Sequence, residues 1–145
     1  MALILDDHLL LDHLIGRLTG WPGAQAAETA VYTTATWYYR VANASSHGSG
    51  TGSLSGRIAS LPEFERQGFH AKVASLPESI GLVGPRILVP VMAALRTPRR
   101  LNYLSAEALA LAVAAEATIA VRTDSPLLSE ACAALHVDYR VVHGG

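Results

Sequence analysis

Three acidic residues occupy positions where proteins of alternating strands and helices usually have their binding or catalytic residues. Asp6 directly follows the apolar run Ala2–Leu5, and Asp124 follows the β-rich run 118–122. Ligands of open parallel sheets bind beyond the carboxyl ends of the strands, so the sequence predicts that these two acids meet there. Glu107 stands in the first turn of the helix that leads into the second strand. The sequence therefore predicts three carboxylates around one edge of a sheet.

A group of carboxylates is costly unless a cation neutralises it, because like charges repel. Oxygen ligands that leave room for water are what Mg²⁺ or Mn²⁺ prefers. An ion held in this way can activate water and orient a phosphodiester for hydrolysis. We therefore predict a Mg²⁺ or Mn²⁺ site in which Asp6, Glu107 and Asp124 are the metal ligands and the catalytic residues.

The first two of these acids also have an ordinary structural explanation. Asp6 or Asp7 can cap the helix that follows, and Glu107 near a helix N-terminus is favoured by the helix dipole alone. Asp124 is harder to explain in this way, because Ser125 before Pro126 already provides the cap of the next helix.

The hydrophobic pattern divides the chain into alternating strands and helices. It predicts strands over 2–5, 30–34, 118–121 and 139–142, and helices over 8–19, 35–44, 105–117 and 126–135, with Ser105 capping the third helix and a stop at 20–23. Prolines interrupt residues 57–85, which favours short helices separated by turns. Residues 86–96 predict a short strand leading to a helix across 90–96. The fold class is therefore α/β, a single-domain α/β/α sandwich with a central, mainly parallel sheet.

Length and composition set the broad class of protein. A chain of 145 residues with 50% hydrophobic and 16% charged residues supports one folded domain over 1–145, in which the Gly/Ser stretch 45–56 is a flexible loop. The net charge of −1 excludes a strongly basic coat for nucleic acids. The single cysteine, Cys132, cannot form an internal disulfide and is interpreted as a small buried hydrophobe. With no signal peptide and no membrane span in the sequence, we expect a cytoplasmic protein.

Two segments carry a resemblance to a known family. The segment Ser105-Ala-Glu107-Ala-Leu-Ala-Leu-Ala-Val-Ala-Ala-Glu-Ala-Thr-Ile-Ala-Val-Arg-Thr-Asp124-Ser125 resembles the closing half of a PIN domain, and Leu3-Ile4-Leu5-Asp6 resembles its opening strand and first acid. PIN domains are α/β/α proteins that cut RNA with divalent metals, many of them as the toxin of a toxin–antitoxin pair. The resemblance implies that Asp6, Glu107 and Asp124 take three metal-site positions, with Thr123 and Ser125 beside the substrate.

The chain departs from the family pattern in the helix after the second strand. PIN nucleases usually carry a further acid there, where this chain has Arg40. Arg40 would then bind a substrate phosphate or replace the charge of the missing acid. Asp7 can supply the missing carboxylate only if the backbone has already turned, because adjacent residues of a strand point to opposite faces.

Three functions remain open from the sequence. The first is a metal-dependent ribonuclease of the PIN type, the toxin of a toxin–antitoxin pair. The second is a catalytically degenerate PIN-like scaffold that binds a protein or nucleic acid. The third, a response-regulator-like receiver, is disfavoured because the chain lacks a central aspartate after a third strand and a late lysine after another.

Partners are predicted from surface composition. No acid occurs between Ser79 and Ala106, a stretch that holds four arginines (Arg86, Arg96, Arg99 and Arg100), so a local basic patch can meet RNA phosphates. The consecutive aromatic residues Trp37, Tyr38 and Tyr39 can stack on unpaired bases. A mean hydropathy of +0.28 predicts that apolar surface is covered in a homodimer or by a small antitoxin-like protein.

Overall fold

A computed structural model of the protein describes residues 1–18, 28–47 and 52–143. The described strands are β1 (Ala2–Leu5), β2 (Ala30–Thr33), β3 (Ile80–Gly81), β4 (Thr118–Val121) and β5 (Tyr139–Val141). The described helices are α1 (Asp7–Leu14), α2 (Ala35–Ser46), α3 (Ser53–Ala59), α4 (Glu63–Ala74), α5 (Pro85–Ala94), α6 (Tyr103–Ala115) and α7 (Pro126–Ala134).

The five described strands form one parallel sheet in the order β3-β2-β1-β4-β5. Leu5 at the end of β1 pairs with Thr33 of β2 on one side and with Ala120 of β4 on the other. Strands β2 and β3 are therefore added on one side of β1, and strands β4 and β5 are added on its other side. This confirms the predicted α/β class and places a topological switch point between β1 and β4, where ligands of such sheets bind.

Helices pack on both faces of the sheet, as a sandwich requires. Ile4 of β1 lies in a buried cluster with residues of β4, α6 and α7, whereas Leu3 and Leu5 pack with Leu9 of α1. A further buried cluster contains residues of the four helices α1, α2, α3 and α4 and of strand β3. Burial on both faces explains why β1 is a continuous apolar run.

Several helix boundaries follow from caps that the sequence shows. Ser125 caps α7, whose first residue is Pro126, as predicted. The cap of α6 is Asn102, whose side chain accepts from the backbone N–H of Ser105, so the helix begins before the predicted cap at Ser105. Helix α1 ends at Leu14 and is followed by Gly16 with φ +72°, so it is shorter than predicted. The predicted stop at 20–23 lies outside the described residues.

The largest errors of sequence interpretation fall in the middle of the chain. The predicted strand at the start of 86–96 is wrong, because Pro85 is the first residue of a helix that continues through the β-branched residues to Ala94. The short helices predicted within 57–85 are present, but the two-residue strand β3 was not expected. Helix α2 includes Ser45 and Ser46, and α3 begins at Ser53, so these parts of the predicted loop 45–56 are helical.

The longest described helix, α6, has 13 residues. None of the described helices has both the length and the apolar character needed to cross a membrane.

Candidate functional site

A polar cavity of about 420 Å³ opens at the switch point between β1 and β4. Its lining comes from the residues after these two strands and from α1, α2, α3, α6 and α7: Asp6, Asp7, His8, Trp37, Arg40, Ser53, Asn102, Leu104, Ser105, Val121, Thr123, Asp124, Ser125 and Leu128. Two of the three predicted carboxylates, Asp6 and Asp124, line the cavity. So do Arg40, Thr123 and Ser125, which the sequence predicts to contact substrate.

Asp6 is held by backbone donors from two elements. Its Oδ1 accepts from the N–H of Leu9 at 2.9 Å, which makes it the cap of α1, and its Oδ2 accepts from the N–H of Arg122 at 2.9 Å. Burial raises the pKa of Asp6 to about 6, although both backbone donors act in the opposite direction. Asp6 therefore fastens the start of α1 to the end of β4.

Asp7 lies in the same cavity because the backbone has already turned. Helix α1 begins at Asp7, so the strand rule that would send Asp6 and Asp7 to opposite faces no longer applies. One oxygen of Asp7 accepts from the N–H of His8 at 2.8 Å, and the other lies 3.3 Å from Nε of Arg40. The side chain of Asp7 is 8% exposed and that of Arg40 is 53% exposed. The unexpected arginine on α2 is thus paired with a carboxylate from α1.

Glu107 does not belong to the cavity lining. It is almost completely buried, and its Oε1 accepts a 3.0 Å hydrogen bond from the backbone N–H of Thr36 in the first turn of α2. Negative charge is favourable at a helix N-terminus, so this contact stabilises α2 against α6. The third predicted metal ligand therefore caps a neighbouring helix.

Asp124, which follows β4, lines the cavity and is exposed. The hydroxyl of Tyr139 on β5 donates to Oδ1 of Asp124 at 3.0 Å and accepts from the N–H of Ser125 at 2.8 Å. Burial is the main reason that the pKa of Tyr139 rises to about 12, so the phenol stays protonated as a donor. Tyr139 thus fixes the direction of Asp124.

The sequence did not predict a second set of charged residues, which lies near the site. Asp12 of α1 is buried and forms ion pairs with Arg57 of α3 and with Nη1 of Arg122, the latter at 2.8 Å. Arg57 also lies 3.0 Å from Nδ1 of His8, and Nε2 of His8 lies 3.1 Å from Oγ of Ser53. Burial lowers the pKa of His8, and the neighbouring arginines act in the same direction. One sequence signal was available, because Asp12 is an acid inside the otherwise apolar face of a short helix.

The carboxylates as they stand do not fit a divalent ion. Among residues 1–18, 28–47 and 52–143, no group of three His, Cys, Asp or Glu side chains could hold a metal. Both oxygens of Asp7 are engaged, Glu107 faces α2, and the Arg40 guanidinium lies where a cation would neutralise Asp7. The Mg²⁺ or Mn²⁺ site stays a prediction.

No protein-family model and no curated protein matches the chain. The fold and site define a doubly wound α/β protein whose polar cavity lies at the switch point of its sheet. The PIN resemblance stays a prediction.

Proposed function

We propose that the chain is a PIN-like scaffold that binds single-stranded RNA at the cavity between β1 and β4 without a resident metal ion. The observation that carries this proposal is the ion pair of Arg40 with Asp7 inside the cavity. A guanidinium already supplies the positive charge that a metal would bring, and Arg40 remains exposed enough to reach a ligand. Binding without cleavage is the function that this charge arrangement favours.

The cavity lining suits a ribonucleotide. Arg40 uses its Nε toward Asp7, and the remaining N–H groups of its guanidinium can donate to a phosphate. Carboxylates accept hydrogen bonds from ribose hydroxyls and from base amino groups, and Asp124 is exposed in the cavity to do so. The 2′-hydroxyl is the group that distinguishes RNA from DNA at such a contact.

An exposed aromatic side chain on the helix that carries Arg40 supports the choice of an unpaired strand. Tyr39 is 67% exposed and precedes Arg40 on α2, whereas Trp37 is buried in the core. Exposed tyrosines stack on unpaired bases of any sequence. The net charge of −1 gives no general attraction to RNA, so binding would depend on local contacts and fall only shallowly with salt.

The test is fluorescence anisotropy with a labelled single-stranded RNA 12-mer and the matching DNA, in EDTA at low salt. We expect the RNA to bind, the DNA to bind more weakly, and Arg40→Gln to weaken RNA binding by about tenfold, as loss of one charged contact predicts. Arg17→Gln is the matched control, because Arg17 pairs with Glu65 and does not line the cavity. Absence of RNA binding in EDTA, or equal binding by Arg40→Gln and Arg17→Gln, would overturn the proposal.

A metal-dependent ribonuclease is the second candidate. It is favoured by the fact that Asp6, Asp7 and Asp124 all line one cavity, although Arg40 would have to leave Asp7. The same RNA incubated with Mn²⁺ separates the two candidates. Cleavage that Asp124→Asn abolishes would favour the nuclease, and intact RNA that remains bound would favour the binding scaffold.

We further propose that the chain associates with a second copy or with a small antitoxin-like protein in the cytoplasm. Support comes from large apolar side chains that are exposed, among them Phe64 and Ile87 at 89% and 61%. Sedimentation of the purified chain, alone and coexpressed with the adjacent reading frame, tests this association. A monomer that copurifies with nothing would contradict it.

A further inference from the structure

We infer that the Ser53 hydroxyl is a phosphate-binding group of the cavity, and that His8 and Arg57 position it as a hydrogen-bond donor. This inference rests on the proposed function for the source of the phosphate, which is the RNA backbone. His8 of α1 and Ser53 of α3 both line the cavity. Contacts from Arg57 to His8 and from His8 to Ser53 form a chain that ends there.

Arg57 determines which nitrogen of the His8 ring carries the proton. Nη1 of Arg57 lies 3.0 Å from Nδ1 of His8. A guanidinium donates hydrogen bonds and accepts none, so Nδ1 is the accepting, unprotonated nitrogen. The proton of the neutral ring is then on Nε2. A flipped ring would place carbon atoms against both Arg57 and Ser53, so the two contacts also fix the orientation of the ring.

The buried carboxylate of Asp12 holds Arg57 in this position. A different nitrogen of the same guanidinium, Nη2, forms the ion pair with Oδ1 of Asp12. The side chain of Asp12 is 7% exposed and that of Arg57 is 27% exposed. Arg57 is therefore anchored through one nitrogen and donates to His8 through another, which keeps one tautomer of His8 in place.

This tautomer leaves the proton of the Ser53 hydroxyl available to a ligand. Nε2 of His8 lies 3.1 Å from Oγ of Ser53, and because Nε2 carries the proton, Oγ accepts. Among the residues that the structure describes, Ser53 Oγ has no further hydrogen-bond partner, so its own O–H can donate to a ligand in the cavity. The same assignment excludes His8 as a base that activates Ser53, because the basic nitrogen of the ring faces Arg57.

A phosphate oxygen is the ligand atom that suits this donor. The charged oxygens of a phosphodiester accept hydrogen bonds and donate none, and the guanidinium of Arg40 in the same lining attracts their charge. Two acids of the lining already have partners, since Asp6 accepts from two backbone N–H groups and Asp7 pairs with Arg40. Ser53 is thus a second donor to the phosphate beside Arg40.

The tautomer is tested without any ligand, by long-range ¹H–¹⁵N spectra of the histidine rings at pH 7 in EDTA. We expect His8, assigned through its backbone resonances, to show a protonated Nε2 and an unprotonated Nδ1. Arg57→Met should give a mixture of the two tautomers, because the donor to Nδ1 is lost. A wild-type ring that is protonated on Nδ1 would overturn the inference.

The phosphate contact is tested with inorganic phosphate, read from resonance shifts, and with the RNA 12-mer, read from anisotropy, both in EDTA. We expect Ser53→Ala to weaken each ligand by about fivefold, as loss of one hydrogen bond predicts, and Ser53→Thr to keep most of the affinity. Ser55→Ala is the matched control, because Ser55 lies on the same helix and does not line the cavity. Ser53 is exposed, so its substitution leaves the core intact.

The role of His8 as a positioning residue is tested by combining substitutions. His8→Ala should weaken phosphate as much as Ser53→Ala does, and the double variant should lose no more than either one, because His8 acts through Ser53. His8→Gln, whose amide N–H can donate in place of Nε2–H, should recover part of the affinity. Losses that add up in the double variant would overturn this positioning role.

The two ligands separate failure of this inference from failure of the proposed function. RNA or phosphate bound equally well by Ser53→Ala and Ser55→Ala would overturn the inference, as would the absence of saturable phosphate binding by wild type. RNA that does not bind wild type, while phosphate binds and depends on Ser53, would overturn the proposed function and support a site for a free phosphate group.

Discussion

The backbone N–H of Thr36 donates a 3.0 Å hydrogen bond to Oε1 of Glu107, which joins the first turn of α2 to the second turn of α6 across 71 positions of sequence. Glu107 is buried and carries its charge to the N-terminus of a neighbouring helix, where negative charge is favourable. The position of α2, and with it that of Arg40, depends on this carboxylate. Glu107 therefore acts on the cavity through the helix that it caps.

Replacing Glu107 tests whether it has this structural role. We expect Glu107→Ala to lower the free energy of unfolding by about 2 kcal/mol, because the Thr36 N–H loses its acceptor and a buried side chain is truncated. Glu107→Gln keeps an acceptor oxygen and should cost less than half as much. Urea unfolding at pH 7 measures both values. Two variants as stable as wild type would show that the cap does not stabilise the fold.

The ion pairs of Asp12 should contribute more to stability than exposed pairs do. Asp12→Asn leaves Arg57 and Arg122 without their buried partner and should cost about 2 kcal/mol, less than a fully buried pair because both arginines are partly exposed. Asp138→Asn, which breaks the exposed pair with Arg140, is the control and should cost under about 1 kcal/mol. Equal losses in thermal or urea unfolding would contradict this ranking.

The raised pKa of Asp6 predicts a specific pH dependence. The carboxyl has a pKa of about 6 in the folded protein against an ordinary value of 3.8, so the folded state binds the proton more tightly between these values. Stability from this group is fully present below pH 3.8 and is lost as the pH rises through 6. The loss amounts to about 3 kcal/mol.

Asp6→Asn removes that titration. As the pH rises from 4 to 7, wild type should lose up to about 3 kcal/mol of unfolding free energy relative to Asp6→Asn, because only wild type has the Asp6 carboxyl. Denaturant unfolding at several pH values measures it. The asparagine also loses one backbone contact, which lowers stability at every pH. The decisive quantity is therefore how the stability difference between the variant and wild type changes with pH. Parallel pH profiles would refute the raised pKa.

The fold was largely predictable because its signals are local. Ser125 and Pro126 mark the start of α7, and the apolar runs of β1 and β4 report burial on both faces of a parallel sheet. The start of 86–96 was misread because its β-branched residues favour a strand, while Pro85 favours the first turn of a helix. Local propensity at these residues favours both a strand and a helix, and packing against α6 stabilises the helix.

The site was predictable only in part, because its charges are paired by tertiary contacts. Strand ends placed Asp6 and Asp124 at one edge correctly, since parallel strands end together. The partner of Arg40 depends on where α1 begins, and the partner of Glu107 depends on how α2 meets α6. Neither distance is encoded by spacing along the chain.

Cys132 offers a simple probe of the core. It is fully buried, as predicted, and burial raises the pKa of its thiol to about 11. The folded protein should therefore react with a thiol reagent at pH 8 only as fast as it opens, at a rate far below that of a free cysteine. Labelling followed by mass spectrometry, with and without urea, checks this. Fast labelling of the folded protein would show that α7 does not pack as described.

The hydroxyl of Tyr139 should matter for ligand binding as well as for stability. Tyr139→Phe removes the donor to Asp124 and the acceptor of the Ser125 N–H, which should cost about 1–2 kcal/mol in unfolding free energy. With the direction of Asp124 no longer fixed, RNA affinity should fall by about fivefold, which corresponds to ~1 kcal/mol.

Tyr38→Phe is the matched control, because the Tyr38 hydroxyl also donates a hydrogen bond, a partly buried one at 2.6 Å to the carbonyl of Val73, but contacts no cavity residue through it. Both variants should lose stability, and only Tyr139→Phe should lose RNA affinity when both are measured well below their unfolding temperatures. If the two variants bind RNA equally well, Tyr139 has a structural role alone, and Asp124 does not need it to meet the ligand.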